Sequence, residues 1–153
     1  MEKKVGDSEF APLWSDYDKS VYYNTYDVTS QVKKGGNAIG VLLGNGFYNV
    51  QGGRYRKLQI SFGAPTLRFR MVVNYEDGTS ETIVSGKDWK YDFSPVLFNC
   101  IYGGEDYDAR REQKGWNMFG FKEQDWHPVV IQEAPQRGAS SADSATGKDH
   151  GAL

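Results

Sequence analysis

Leu67-Arg-Phe-Arg-Met-Val-Val-Asn-Tyr75 runs into Glu76-Asp-Gly-Thr79 and then into Ser80-Glu-Thr-Ile-Val-Ser85. Leu67, Phe69, Met71, Val73 and Tyr75 alternate with Arg68, Arg70 and Asn74. In an extended chain that period puts the apolar set on one face and the charged set on the other, the pattern of a half-buried strand. Asp77-Gly78 supplies the positive φ that a tight hairpin turn needs, so Ser80–Ser85 is the returning partner.

The same period extends outward. Ile39, Val41 and Leu43 alternate with Ala38, Gly40 and Leu42, which predicts a strand over 37–43 buried on both faces. Val21–Val28 is a tyrosine-rich strand, with Gly35-Gly36 providing a turn before the next. Trp89–Phe93 and Trp126–Glu133 add two more, Pro128 placing the last at an edge or a strand's beginning. No helical stripe exceeds a turn or two. The expected fold is all-β, an antiparallel β-sandwich.

Composition narrows the function. The chain has 153 residues, room for one domain, and a net charge of −2 with acids and bases intermixed. Nucleic acid and anionic membrane are therefore not expected partners. No apolar run approaches membrane-spanning length, and Met1-Glu-Lys-Lys lacks the apolar core of a signal peptide. The single Cys100 excludes an internal disulfide and a cysteine metal cluster. Aromatic residues make up 14%, much of it tyrosine, which suits a surface that meets amphipathic ligands.

The densest chemistry lies in Ile101-Tyr-Gly-Gly-Glu-Asp-Tyr-Asp-Ala-Arg110, closed by Gly115-Trp116. No strand or helix period runs through it, so it is expected as a loop, either cross-bonded internally or reading a polar ligand. Glu105, Asp106 and Asp108 invite a glycosidase reading, since glycoside hydrolysis uses two carboxyl groups across the scissile bond. Three acids within four residues of one loop cannot easily approach that bond from opposite sides. Glu105 and Asp108 are better acceptors, for Arg110 or Arg111 and loop amides or for ligand hydroxyls, with Tyr107 between them.

Gly44-Asn-Gly-Phe-Tyr48 follows the expected buried strand. Two glycines let the backbone turn, and Asn45 tolerates left-handed geometry. The loop either sets Asn45, Phe47 and Tyr48 at the rim, where rings stack on a sugar face and an amide bonds its hydroxyls, or is an ordinary turn with Phe47 in the core. Arg54 and Tyr55, in the Gly-rich 51–57 loop, flank the same rim or are simply solvated. The four tryptophans, Trp14 among them, are expected in the core or packing at edges.

Tyr102-x-Gly-Glu-x-Tyr-Asp-Ala-Arg110 with Gly115-Trp116 resembles the N-terminal region of bacterial α-L-rhamnosidases, glycoside hydrolase family 78. Tyr26-Asp-Val-Thr29 running into Gly36-Asn-Ala-Ile-Gly-Val41, and Leu43-Gly-Asn-Gly-Phe-Tyr48, match in the same order. The sugar-binding domains of β-galactosidase-like enzymes share Asp-Val-Thr…Gly-x-Asn but do not account for Glu105–Arg110. The resemblance implies a jelly-roll, galactose-binding-like sandwich over 1–133 that binds or positions an L-rhamnose-containing glycan or glycoside. The catalytic acids would belong to a separate (α/α)6 domain, so the chain alone would have no catalytic residues. Calcium is implied as a candidate cofactor, with Asn37 and Asn99 the candidate ligands and Asn45 and Asp92 of suitable chemistry. Gly36 departs from the pattern, since an Asp there would complete a ligand pair, and Phe47 stands where family members often have Trp.

The ends are expected to be trimmed. Gly6–Trp14 reads as the middle of a domain, and Arg137–Leu153 collapses into Ser, Ala, Gly and Asp, giving a disordered tail over 134–153. That tail back-translates, one nucleotide ahead, into GALLPQTPPPVKIMER, which resembles the family's continuation and marks the tail as frameshift-derived. Two alternatives to sugar binding stand beside it. One is a structural domain packing on the catalytic barrel; the other is a non-functional truncated product.

Overall fold

The structure, a computed structural model, describes residues 3–50, 52–54, 56–133 and the backbone of 138–141. Among the described residues the elements are ten short strands and one 3-10 turn, with no helix long and apolar enough to cross a membrane. The strands pair as five two-stranded ribbons.

The 67–85 hairpin forms as expected. β4 (Arg70–Asn74) pairs antiparallel with β5 (Ser80–Val84), Arg70 opposite Val84 and Asn74 opposite Ser80. Leu67, Phe69, Met71 and Val73 are half-buried while Arg68, Arg70 and Val72 are exposed. Gly78 takes φ +83, and the Asp77 carboxylate accepts from the Thr79 amide at 2.9 Å and from its hydroxyl at 2.6 Å, which fixes the turn. The two flanking expectations shorten to β6 (Lys90–Tyr91) and β9 (His127–Pro128), which pair with each other.

Three features differ from the sequence reading. β7 (Val96–Cys100) pairs with β8 (Gly104–Tyr107), so much of the expected polar loop is a strand. Ladder bonds use the backbone alone and leave the mixed side chains on either face, which is why no apolar period announced it. The tyrosine-rich strand contracts to β1 (Ser20–Tyr23) and pairs in parallel with β10 (Gly138–Ser141). The expectation of disorder over 134–153 therefore does not extend to those four residues; the rest of that stretch lies outside the described residues. The third difference is 37–43, where no strand forms. Ile39, Val41, Leu42 and Leu43 are all exposed, because no neighbouring strand covers either face.

Apolar burial is slight. Among the described residues only Val50 and Cys100 are buried apolar side chains, beside buried Ser15 and Asn49. Val50 and Asn49 form β2 (Asn49–Val50), paired with β3 (Ile60–Ser61). Side-chain amides join the ribbons instead. The Asn45 backbone amide donates to Asn99 Oδ1 at 3.0 Å, and Asn45 Nδ2 donates to the Asn99 carbonyl at 3.3 Å. Asn49 Nδ2 donates to Asn45 Oδ1 at 2.9 Å, and the Ser61 hydroxyl donates to Asn49 Oδ1 at 2.9 Å.

Asn49→Ala should cost about 2–3 kcal/mol, because it leaves two partly buried partners without their bond. Asn37→Ala, which removes bonds inside an exposed loop, should cost about 1 kcal/mol or less. Urea unfolding of both variants checks the ranking, and equal losses would show that the asparagine relay holds nothing together.

A candidate rim built on the Asn45–Asn99 tie

The turn of the β7–β8 hairpin, Ile101–Gly103, brings the two halves of the expected site together. Gly46, at φ +52, takes the left-handed position, and no described non-glycine residue has positive φ. Asn45 is thus left in ordinary geometry, and its side-chain amide bonds Asn99 through Nδ2 and Asn49 through Oδ1. Its role here is to hold the loop.

Phe47 is half-buried between two exposed rings. The Trp14 ring lies 6.1 Å away and tilted, and the Tyr102 ring 5.9 Å away and edge-on. Trp14 is 64% exposed and packs on Phe47, so of its two expected places, core or edge, it is not in the core. Tyr48 turns inward instead, its ring packed on Tyr17 and Phe62 and its hydroxyl donating to the Phe62 carbonyl at 3.0 Å. Burial pushes the neighbouring Tyr17 phenol up, and the nearby Tyr48 adds to that.

Arg54 reaches the same hairpin. Its guanidinium pairs with Asp106 and sits 4.9 Å from the centre of the Phe98 ring. The hydrogen bond from Arg54, with the attraction of its charge, holds the Asp106 carboxyl below the usual carboxylate range. Glu105 is exposed and stands opposite Asn99 in the ladder. Tyr55 lies outside the described residues.

The remaining motif residues gather at the far end of β8. Asp108 caps the 3-10 turn Ala109–Arg111, accepting from the Arg110 amide at 3.1 Å and from its guanidinium at 2.8 and 2.7 Å. Those Arg110 bonds lower its pKa. Tyr107 donates to Glu112 Oε1 at 2.6 Å, which raises the phenol's pKa. At about 3.3 Å per residue, four residues from Gly104 to Asp108 separate this cluster from the rim by roughly 13 Å. The sequence motif therefore divides into a rim end and a turn-locking end.

Among the described residues of the motif, no acid–base pair emerges. Asp106 and Asp108 are each ion-paired and depressed, the wrong direction for a proton donor near neutral pH.

The candidate calcium donors do not fit a cation. Asn37 Oδ1 accepts from the Lys33 amide at 3.1 Å, Asn99 Oδ1 from the Asn45 amide, and Asn45 Oδ1 from Asn49. Asp92 accepts from the Phe93 amide at 2.8 Å and from Gln113. Each carbonyl or carboxylate already faces the positive end of an N–H, and calcium needs six to eight oxygens. No group of three or more His, Cys, Asp or Glu side chains could hold a metal among the described residues. A β-carbon at Gly36 would stand 2.3 Å from Cζ of Phe119, so a side chain there requires that exposed ring to move.

Sequence reasoning missed Trp14, Asn49 and Phe98 as parts of this arrangement. Tyr102 stood in the quoted motif, between the hairpin strands, and that position was its only signal.

The sequence model of the α-L-rhamnosidase N-terminal domain matches residues 2–148. An α-L-rhamnosidase of Formosa agariphila is 40% identical over 128 residues, covering 81% of this chain and 13% of the relative. One from Streptomyces avermitilis is 41% identical over 127 residues, covering 83% and 12%. Among solved structures, the α-L-rhamnosidase from Dictyoglumus thermophilum matches with a TM-score of 0.75 at 33% identity, over 91% of this chain and 15% of that one. The Streptomyces avermitilis α-L-rhamnosidase complexed with L-rhamnose matches with a TM-score of 0.62 at 35% identity, over 82% and 12%. These likenesses make the fold an all-β antiparallel sandwich. The 153 residues span about an eighth of the two sequence relatives and correspond to the N-terminal domain alone, without the catalytic domain. The chain belongs to the α-L-rhamnosidase N-terminal domain family.

Proposed function

We propose that this domain holds an L-rhamnose-containing glycan or glycoside at the Trp14–Phe47–Tyr102 rim and positions it for the catalytic domain of the longer enzyme. The observation that carries this reading is the aromatic trio itself, two exposed rings flanking a half-buried third. A deoxy sugar presents an apolar C–H face and a methyl group, which such rings cover, while hydroxyls bond groups at the edge. Arg54 and Glu105, on the adjoining strand and loop, are the polar candidates for that edge. The Streptomyces relative solved with L-rhamnose supports the ligand class.

A second reading, a domain that packs on the catalytic domain without binding sugar, is favoured by a different observation. Phe93, Phe119 and Val130 are 65%, 70% and 81% exposed, more apolar surface than a lone domain of this size usually shows.

Calorimetry or NMR titration with L-rhamnose should give a Kd on the order of millimolar, near −4 kcal/mol, as fits one small polar ligand in an open site. Trp14→Ala and Tyr102→Ala should abolish that binding while leaving the melting temperature within a few degrees. Equal affinity for glucose, or affinity unchanged in both variants, removes the rim reading and leaves the packing one.

No rhamnose should be released from an aryl rhamnoside, since the described residues of the motif bring no acid and base together from opposing elements. Release that survives purification and is lost in Glu105→Gln would contradict this.

The Arg54–Asp106 pair sets the acid limit. A carboxyl depressed in the folded state stabilises above its unfolded value of about 3.9 and loses that contribution as pH falls through the lower folded value. Affinity should therefore be level from about pH 5 to 8 and fall only below about pH 4. Asp106→Asn should remove that acid-side fall; a fall between pH 6 and 5 would point to another group.

A further inference from the structure

Asn45 and Gly46 form a reactive pair as well as a tie. Asn45 is the one asparagine in the sequence that glycine follows; the others precede larger residues such as Thr25, Val50 and Tyr75. An asparagine side-chain amide can be attacked at its carbonyl carbon by the backbone nitrogen of the next residue. Glycine hinders that attack least, because it has no β-carbon and turns freely. Gly46 meets the remaining needs. It is exposed to water, a β-carbon built on it would meet nothing within 4 Å, and among the described residues no hydrogen bond engages its N–H.

The relay holds the reaction back. Attack closes a five-membered ring through Cα, Cβ and Cγ of Asn45, its carbonyl carbon and the Gly46 nitrogen. Such a ring is nearly flat, so Cβ must eclipse that nitrogen across the Cα–C bond. Neither helical nor extended backbone has this arrangement, and the chain must rotate at Asn45 to reach it. The rotation carries the Asn45 carbonyl away from the Asn49 amide, which now donates to it at 3.1 Å. The side chain must also leave its partners, the Asn99 carbonyl at 3.3 Å from Nδ2 and Asn49 Nδ2 at 2.9 Å from Oδ1. Ring closure therefore begins only after the loop has opened.

We propose that Asn45–Gly46 is a deamidation site which the asparagine relay keeps closed, and that its conversion releases the aromatic rim irreversibly. The Gly46 N–H gives its proton to solvent base and the nitrogen bonds to Cγ of Asn45. The Cγ–Nδ2 bond breaks, and Nδ2 leaves as ammonia with a proton from water. One water then opens the cyclic imide, at Cγ to give aspartate or at the main-chain carbonyl to give isoaspartate. Either product lacks the Nδ2 donor. A carboxylate oxygen now faces the Asn99 carbonyl, two acceptors where a bond had been. The isoaspartate also adds a methylene to the main chain between the N–H tied to Asn99 and Phe47, which shifts Phe47 relative to Tyr102. The inference concerns the loop's own chemistry and is independent of whether the rim binds sugar.

Peptide mapping by mass spectrometry tests it, on the 153-residue chain held in mildly alkaline buffer with and without urea. In urea, position 45 should convert faster than any other asparagine. In the folded chain the same conversion should be slower by about tenfold or more. Asn49→Ala should raise the folded rate about fivefold, the worth of one hydrogen bond, with slow amide exchange in the Arg70–Asn74 and Ser80–Val84 ladder showing that the variant is folded. Asn99→Ala, which removes the acceptor of the Asn45 N–H, gives the same reading from the other side of the relay. Protein converted in urea, refolded and separated by ion exchange should lose the nuclear Overhauser contact between the Phe47 and Tyr102 rings. Four outcomes overturn the proposal. They are equal rates in folded and unfolded chain, a folded rate unchanged or lowered in both variants, faster conversion at another asparagine in urea, and a ring contact that persists in the converted protein.

Discussion

Two asparagines facing each other, Asn45 and Asn99, hold the candidate site in shape. Through one backbone amide and one side-chain amide, Asn45 treats Asn99 almost as a ladder partner, though 54 residues separate them. Five two-stranded ribbons share no continuous ladder, and Val50 and Cys100 are the only buried apolar side chains among the described residues. Hydrophobic burial cannot by itself fix how such ribbons meet. The relay from Asn99 through Asn45 and Asn49 to Ser61 joins three segments, and the aromatic rim follows from it. With the 44–48 loop tied to the base of the β7–β8 turn, Phe47 has no choice but to meet Tyr102. Amide bonds of this kind are directional, so they specify an orientation that apolar contact leaves open.

The ribbon containing Arg70–Val84 was legible because period and turn chemistry agree there, and nothing distant is needed to decide it. The sequence also put Asn45, Phe47, Arg54 and Glu105 forward; the β7–β8 hairpin carries Glu105 and meets Asn45 at Asn99, Phe47 at Tyr102 and Arg54 at Asp106. Their directions were another matter. A loop sequence shows that Asn45 is polar and adaptable, but not that its amide would be taken up by a residue far along the chain. Phe47 and Trp14 could not be sorted into core and surface without knowing how little core there is. The Glu105–Arg110 run hid a strand because ladder bonds ignore side-chain type, and it hid a division of labour between Asp106, which clamps Arg54, and Asp108, which locks its own turn.

The misreading of 37–43 has a different origin. Its pattern is that of a central strand, yet no strand forms there. What the pattern assumed was a neighbour on each side. Local sequence reports what a segment needs to bury, whereas burial itself is a property of the whole assembly. The exposed apolar residues at Leu42, Phe93, Phe119 and Val130 belong to the same account, since they are surfaces suited to contact and not to water.

Phe119 imposes one more consequence, on how this sequence can change. Its ring occupies the space where any side chain at position 36 would begin. An aspartate acquired there would require that exposed ring to swing aside, whereas a smaller residue at 119 would open the space outright. Substitutions at the two positions are therefore coupled, and the effect of a side chain at 36 depends on which residue stands at 119.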